Sequence, residues 1–129
     1  KSLQAVIGYV KQKYPNIRAD ELHLIGHSNG GDISMLFVSE YPLMVKTCIS
    51  LDHRRVPIPR NSNVGIMTIR ADEFEADEGV IPNEIDLVKY GIEVINLENV
   101  GHNYVRDNGT METKNFIAAR VSSFIEAHE

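Results

Sequence analysis

A serine, five histidines and a run of carboxylates are the groups in this 129-residue chain that could do chemistry together. Ser28 stands in Gly26-His27-Ser28-Asn29-Gly30, the pattern G-x-S-x-G. A hydroxyl is a weak nucleophile until a base within hydrogen-bond reach takes its proton, and that base works best when a third group orients it. An imidazole titrates near neutral pH, so a histidine could take the proton and return it. A buried carboxylate on the second ring nitrogen would hold the tautomer and stabilise the cation.

The elements around Ser28 make the pattern more than a turn containing a serine. Leu22 to Ile25 reads as a short apolar strand, and an amphipathic segment follows the turn, so the order is strand, sharp turn, helix. Side chains at Gly26 and Gly30 would collide with the neighbouring strand and helix, so both glycines are expected to make room for Ser28. The turn opens a helix, which places the Asn29 amide at a positive dipole end, suited to a developing oxyanion.

Spacing predicts the remaining elements. Leu3, Val6, Ile7, Val10 and Tyr14 define the apolar face of a first helix over Ser2–Tyr14, stopped by Pro15 and Asn16. Ala19, Asp20 and Glu21 then form a polar bridge into the serine strand. A second helix over Asp32–Glu40 carries Ile33, Leu36 and Phe37, with Asp32 in its first turn, where a carboxylate favours the dipole. Strands are expected at Val45–Leu51, Val64–Ala71 and Ile92–Leu97. The stretch Val56–Asn63, with two prolines, two asparagines and a serine, reads as a loop rather than a crossover helix. A short helix over Asn83–Tyr90 ends at Gly91, and a final helix over Glu112–Ala127 presents Phe116, Ile117, Ala119, Val121, Phe124 and Ile125.

Strands alternating with helices imply an α/β fold with a parallel sheet of about four strands, whose site lies beyond the carboxyl ends of the strands. Ser28, Asp52, the acidic loop of Asp72, Glu73, Glu75, Asp77 and Glu78, and His102 all follow such an end. Topology alone therefore brings them to one edge.

Three stretches carry a resemblance to the α/β-hydrolase superfamily: Leu24-Ile25-Gly26-His27-Ser28-Asn29-Gly30-Gly31, Ala76-Asp77-Glu78-Gly79-Val80-Ile81-Pro82 and Val100-Gly101-His102. They occur in the order serine, acid, histidine. The resemblance covers nearly the whole chain but only the second half of such a fold, and it implies a serine hydrolase of esterase or lipase type. His102 is then the base, because among the histidines it alone follows the last strand at the required spacing. His23, His53 and His128 are left as structural or exposed, and His27 is expected to point away from Ser28, toward substrate. For the acid, the resemblance favours Asp77 in Asp-Glu-Gly-Val-Ile-Pro. Asp72, directly at the end of the third strand, is the second choice, Asp52 the third, as in lipases that carry the acid after the earlier strand, and Glu73 the last.

The resemblance also implies that a second oxyanion donor comes from an early loop that this sequence does not contain. One domain's worth of residues, starting at Lys1 rather than Met, is expected to be a partial domain with its N-terminal strands missing. The serine strand would then be an open edge, covered by an oligomeric partner or by the missing N-terminal segment. Two further readings stay open: a non-catalytic binding module of the same fold, and an acyltransferase.

Composition excludes other classes. Hydrophobic residues at 43% and charged residues at 24% suit a globular domain, and a net charge of −5 with no basic stripe argues against nucleic acid. No apolar run approaches the roughly 20 residues that span a bilayer. No spacing of histidines and carboxylates suggests a metal, no glycine loop suggests a nucleotide, and no cofactor is expected. The single cysteine, Cys48, precludes an internal disulfide and is expected in the core. Arg54 and Arg55 sit at the rim, where they could recognise an anionic part of a substrate or pair with the acidic loop. The absence of a lid insertion leans toward an open site and a soluble acyl substrate.

Overall fold

The computed structural model describes residues 2–14, 21–105 and 109–129. Its elements are helix α1 (Ser2–Lys13), strand β1 (Leu22–His27), helix α2 (Asn29–Glu40), strand β2 (Val45–Leu51), strand β3 (Gly65–Arg70), helix α3 (Glu84–Tyr90), strand β4 (Glu93–Asn96) and helix α4 (Met111–Ala127). Single 3₁₀ turns over Pro42–Met44 and His102–Tyr104 lead into β2 and follow β4.

The four strands form one parallel sheet in the order β1-β2-β3-β4, so each new strand is added beside the last. This is the α/β fold with flanking helices that the alternating pattern implies. Among the described residues β1 pairs only with β2, and its outer edge carries no strand.

Side chains alternate between two layers, which is why β2 and β3 are buried at nearly every position. Cys48 and Ile66 point to one layer with Met35, Val38 and Ile58. Ile49, Met67 and Ile69 point to the other, against Ile117 and Phe124 of α4. No helix crosses between β2 and β3. Instead the 52–64 connection lies over the first layer, burying Ile58 and joining its amide to the Val80 carbonyl at 3.0 Å.

Local signals fix several ends. The Asn83 side chain caps α3 by accepting from the Asp86 amide, and Gly91 closes it at φ 65°. Thr110 caps α4 in the same way through the Thr113 amide, so the helix begins at Met111, one residue before the expected start.

The helix faces differ from expectation. In α2 the buried residues are Gly31, Ser34, Met35, Phe37 and Val38, whereas Ile33 is 60% exposed and Leu36 49% exposed. Ile33 and Leu36 recur at helical spacing, but the face packed on β1 and β2 is built around the small residues that allow close approach. Among the described side chains of α1, Ile7 is partly buried against the core, whereas Val6 and Tyr14 are exposed. In α4 Phe116 is exposed as well. Pro15, Asn16, Ala19 and Asp20, and the side chain of Leu3, lie outside the described residues.

Candidate active site

Sheet register builds this site. His27, the last residue of β1, lies opposite Leu51, the last of β2. The ladder runs on for one residue, with the Ser28 amide donating to the Leu51 carbonyl at 3.0 Å and the Asp52 amide to the Ile69 carbonyl at 2.8 Å. Ser28 and Asp52 are therefore neighbours at the carboxyl end of the sheet. Ser28 has φ 55° and ψ −117°, and Asp52 has φ 59°. Each is a left-handed conformation that costs a non-glycine residue about 1–3 kcal/mol.

Close packing forces the serine turn. A Cβ on Gly26 would stand 2.3 Å from the Gly30 carbonyl carbon, so the strand passes against the backbone of the first helical turn. Gly30 itself has nothing within 4 Å of such a Cβ, so the expectation that it makes room for Ser28 is corrected. The second crowded glycine is Gly31, where a Cβ would come within 2.9 Å of the His53 Cβ and 3.1 Å of the Ser50 Cβ.

His102 reaches Ser28 from the far end of the chain. It opens a 3₁₀ turn after Gly101, and its Nε2 lies 3.0 Å from the Ser28 hydroxyl, which donates to it. Its Nδ1 lies 2.5 Å from Asp52 Oδ2 and donates in turn. Asp52 is fully buried, and its Oδ1 also accepts from the Ala71 amide at 3.1 Å. Serine, imidazole and carboxylate thus form one continuous hydrogen-bonded line.

The carboxylate in that line is not the one the sequence favours. Asp77 is exposed; its amide donates to the Arg54 carbonyl at 2.8 Å and its carbonyl accepts from the Val80 amide. It turns the acidic loop toward the 52–58 connection and leaves His102 to Asp52. Asp72 does not pair with the imidazole either: its carboxylate accepts from the Asn99 amide at 3.1 Å. Glu73 accepts from the His102 amide at 2.8 Å. These two acids clasp the histidine loop by its backbone. The sequence feature that favours Asp52 is its place in the first position after the strand beside β1.

His27 turns to the same loop. Its Nε2 donates to the His102 carbonyl at 2.9 Å, and the two rings lie 4.8 Å apart at 37°. Its expected place on a substrate is thus taken up by a bond to the His102 backbone. Arg54, the other residue expected to meet substrate, lays its guanidinium over the Phe74 ring at 5.1 Å. Asp32 accepts from the Arg55 and Val56 amides at 2.9 and 2.8 Å, tying the 52–58 connection to α2.

Behind Asp52 lies a buried polar chain with no counterpart in the sequence reading. Arg70 is 6% exposed; its Nη2 stands 3.5 Å from Asp52 Oδ1 and its Nη1 donates to Thr68 Oγ1 at 3.1 Å. Thr68 and Ser50 hydroxyls lie 2.6 Å apart, and Ser50 Oγ is 2.5 Å from His53 Nδ1. His53 Nε2 donates to the Val56 carbonyl at 3.1 Å. Burial, reinforced by the Arg70 charge, holds the His53 imidazole below its ordinary range. Neutral His53 therefore presents Nδ1 as an acceptor. Burial likewise pushes the Cys48 thiol up to about 12, in keeping with a packing role.

Asn29 is the first residue of α2, where backbone amides have no intrahelical acceptor. A cleft of about 940 Å³ lies beside the site, between the acidic loop and β4, with Arg70, Asp77, Leu87 and Val94 among its walls. Ser28 and His102 are not part of its lining. Among the described residues no group of three or more histidines, cysteines and carboxylates could hold a metal, and no helix is long and apolar enough to cross a membrane. Comparison with protein-family models, with curated proteins and with solved structures finds no match for this chain.

Proposed function

We propose that this chain is a serine hydrolase of α/β-hydrolase type that cleaves an ester or related acyl bond. One observation carries the reading: Ser28 Oγ, His102 Nε2, His102 Nδ1 and Asp52 Oδ2 lie in sequence at 3.0 and 2.5 Å across the ring. A serine, an imidazole and a buried carboxylate in that order are the parts an activated hydroxyl needs.

In this reading Ser28 attacks the carbonyl carbon as His102 Nε2 takes the hydroxyl proton. Asp52 holds the ring with its proton on Nδ1 and stabilises the imidazolium. The Asn29 amide donates to the oxyanion as one half of the hole. His102 then returns the proton to the departing alcohol, leaving an acyl group on Ser28. Water, deprotonated by the same nitrogen, releases the acid and restores the serine.

The positive φ of Ser28 supports the same reading, because a strained serine at a strand-to-helix turn exposes its hydroxyl above the sheet. A binding module that uses the outer edge of β1 is the second reading, favoured by the unpaired state of that edge among the described residues. Labelling with a fluorophosphonate separates the two. A hydrolase gives covalent modification at Ser28 that is lost in both Ser28→Ala and His102→Ala. A folded chain that is never modified overturns the hydrolase reading. An acyltransferase would label too, and it is told apart by faster release of the acyl group when an alcohol or amine acceptor is added.

A further inference from the structure

The Asp52 carboxylate is wholly buried, and a buried charge is tolerated only where partners replace the water it has lost. Its Oδ2 is committed to His102 and its Oδ1 accepts from the Ala71 amide. The amide supplies a hydrogen bond but no charge, and the ring supplies one hydrogen bond through Nδ1. The cation in reach is Arg70, whose Nη2 lies 3.5 Å from Oδ1.

Arg70 is itself held from behind. Nη1 donates to Thr68, and the chain through Ser50 to His53 ends on the Val56 carbonyl. Nη2 forms no hydrogen bond, although it is buried. Its attraction to Oδ1 is therefore electrostatic, and among the described residues no hydrogen bond competes with it. The guanidinium is fixed on one side and aimed at the carboxylate on the other.

We propose that Arg70 is the positioning residue of the triad acid: it holds Oδ1 of Asp52 so that Oδ2 is presented to His102. The proposal rests on the reading of Ser28, His102 and Asp52 as a working triad. It gives a function to a buried cation that the hydrolytic steps do not themselves use. Burial lowers the proton affinity of the guanidinium, and the Asp52 carboxylate works against that.

Loss of a positive charge this close to Asp52 is expected to be felt at His102, which shares a hydrogen bond with the same carboxylate. The charged and titratable groups facing the Asp52–His102 pair come from every element packed around it. They are His27 from β1, His53 from the connection after β2, Arg70 from β3 and Glu73 from the acidic loop, with Asp32 from α2 and Arg54 acting on His53 and Arg70 behind them. Of these, only Arg70 makes an ion pair with Asp52.

The test is an NMR titration of the His102 ring in wild type, Arg70→Met and Arg70→Lys, with the fluorophosphonate labelling rate followed over the same pH range. Removal of the charge in Arg70→Met is expected to move the His102 midpoint upward by roughly one unit relative to wild type. The acid limb of the labelling rate should move with it. Arg70→Lys, which keeps the charge but loses the fork, is expected to stay close to the wild-type midpoint while labelling more slowly. A folded Arg70→Met with an unchanged midpoint overturns the proposal. If Arg70→Met does not fold, the Arg70 Nε–H resonance of the wild type decides instead: it must shift at the midpoint of the His102 ring, and an invariant resonance overturns the proposal. A chain that never labels, yet whose His102 midpoint responds to Arg70→Met, would sink the hydrolase reading and leave the Arg70–Asp52 coupling standing.

Discussion

Ser28 and Asp52 leave adjacent parallel strands at the same level, and both do so at positive φ, 55° and 59°. Neighbouring register positions thus bring the serine hydroxyl and the buried carboxylate side by side, with the imidazole spanning the gap between them. The site is a product of strand alignment: a slip of one residue between β1 and β2 would send one of the two to the other face of the sheet.

The choice of acid is testable by a pair of conservative substitutions. Asp52→Asn leaves the shape of the site but loses the acceptor that fixes His102, and labelling or ester turnover should fall about 10³–10⁴-fold. Asp77→Asn, on an exposed loop, should leave the rate unchanged. The reverse ranking would return the acid to the 76–82 stretch.

The three glycines around Ser28 should respond very differently to one added methyl group. Gly26→Ala forces a Cβ onto the Gly30 backbone and should cost about 3 kcal/mol or more; Gly31→Ala, against His53 and Ser50, should cost about 1–3 kcal/mol. Gly30→Ala meets open space within a helix and should be neutral or gain about 0.5–1 kcal/mol. Unfolding in urea, read as the shift in midpoint at constant slope, gives all three values.

His53 ties stability to pH with a definite sign. Its imidazole is fully buried and binds a proton less readily in the native state than in the unfolded chain, whose ordinary value is 6.5. Below that pH the unfolded chain takes up a proton the native chain declines. Stability is therefore complete above 6.5 and falls as the pH drops, by at most about 1.4 kcal/mol per unit from this group. Melting temperatures between pH 5 and 8 should show a steeper acid-side decline for wild type than for His53→Gln. Equal slopes in the two proteins would mean that His53 is protonated while folded.

The strands were readable because β2 and β3 are buried on both faces and are bounded by loop residues; their order in the sheet did not follow from the sequence. The serine turn was readable for a local reason, since a strand, two flanking glycines and a helix all lie within a few residues of Ser28. The carboxylate beside His102 ranks only third in the sequence. Asp77 matched a sequence pattern, but the chain there folds back on Arg54, and a place at a strand end, which Asp52 shares with Asp72, does not by itself say which carboxylate is buried beside an imidazole 50 residues away. Arg70 and His53 were hidden for a related reason: in sequence they are ordinary polar residues near strand ends, and their burial depends on the layer formed by α2 and the 52–58 connection. The helix faces failed at Ile33 and Leu36 because periodicity gives a stripe without saying which side the small residues will bring against the sheet.

The order β1-β2-β3-β4 also separates the site in chain distance. Ser28 and Asp52 lie close in sequence and meet as soon as β1 and β2 align, whereas the imidazole comes from a residue 74 positions beyond the serine. Closing the shorter span costs less chain entropy. Strands β1 and β2 alone would hold a hydroxyl and a carboxylate with no imidazole between them. If the proposed hydrolase reading holds, activity would report completed assembly, since no single segment of the chain carries all three groups.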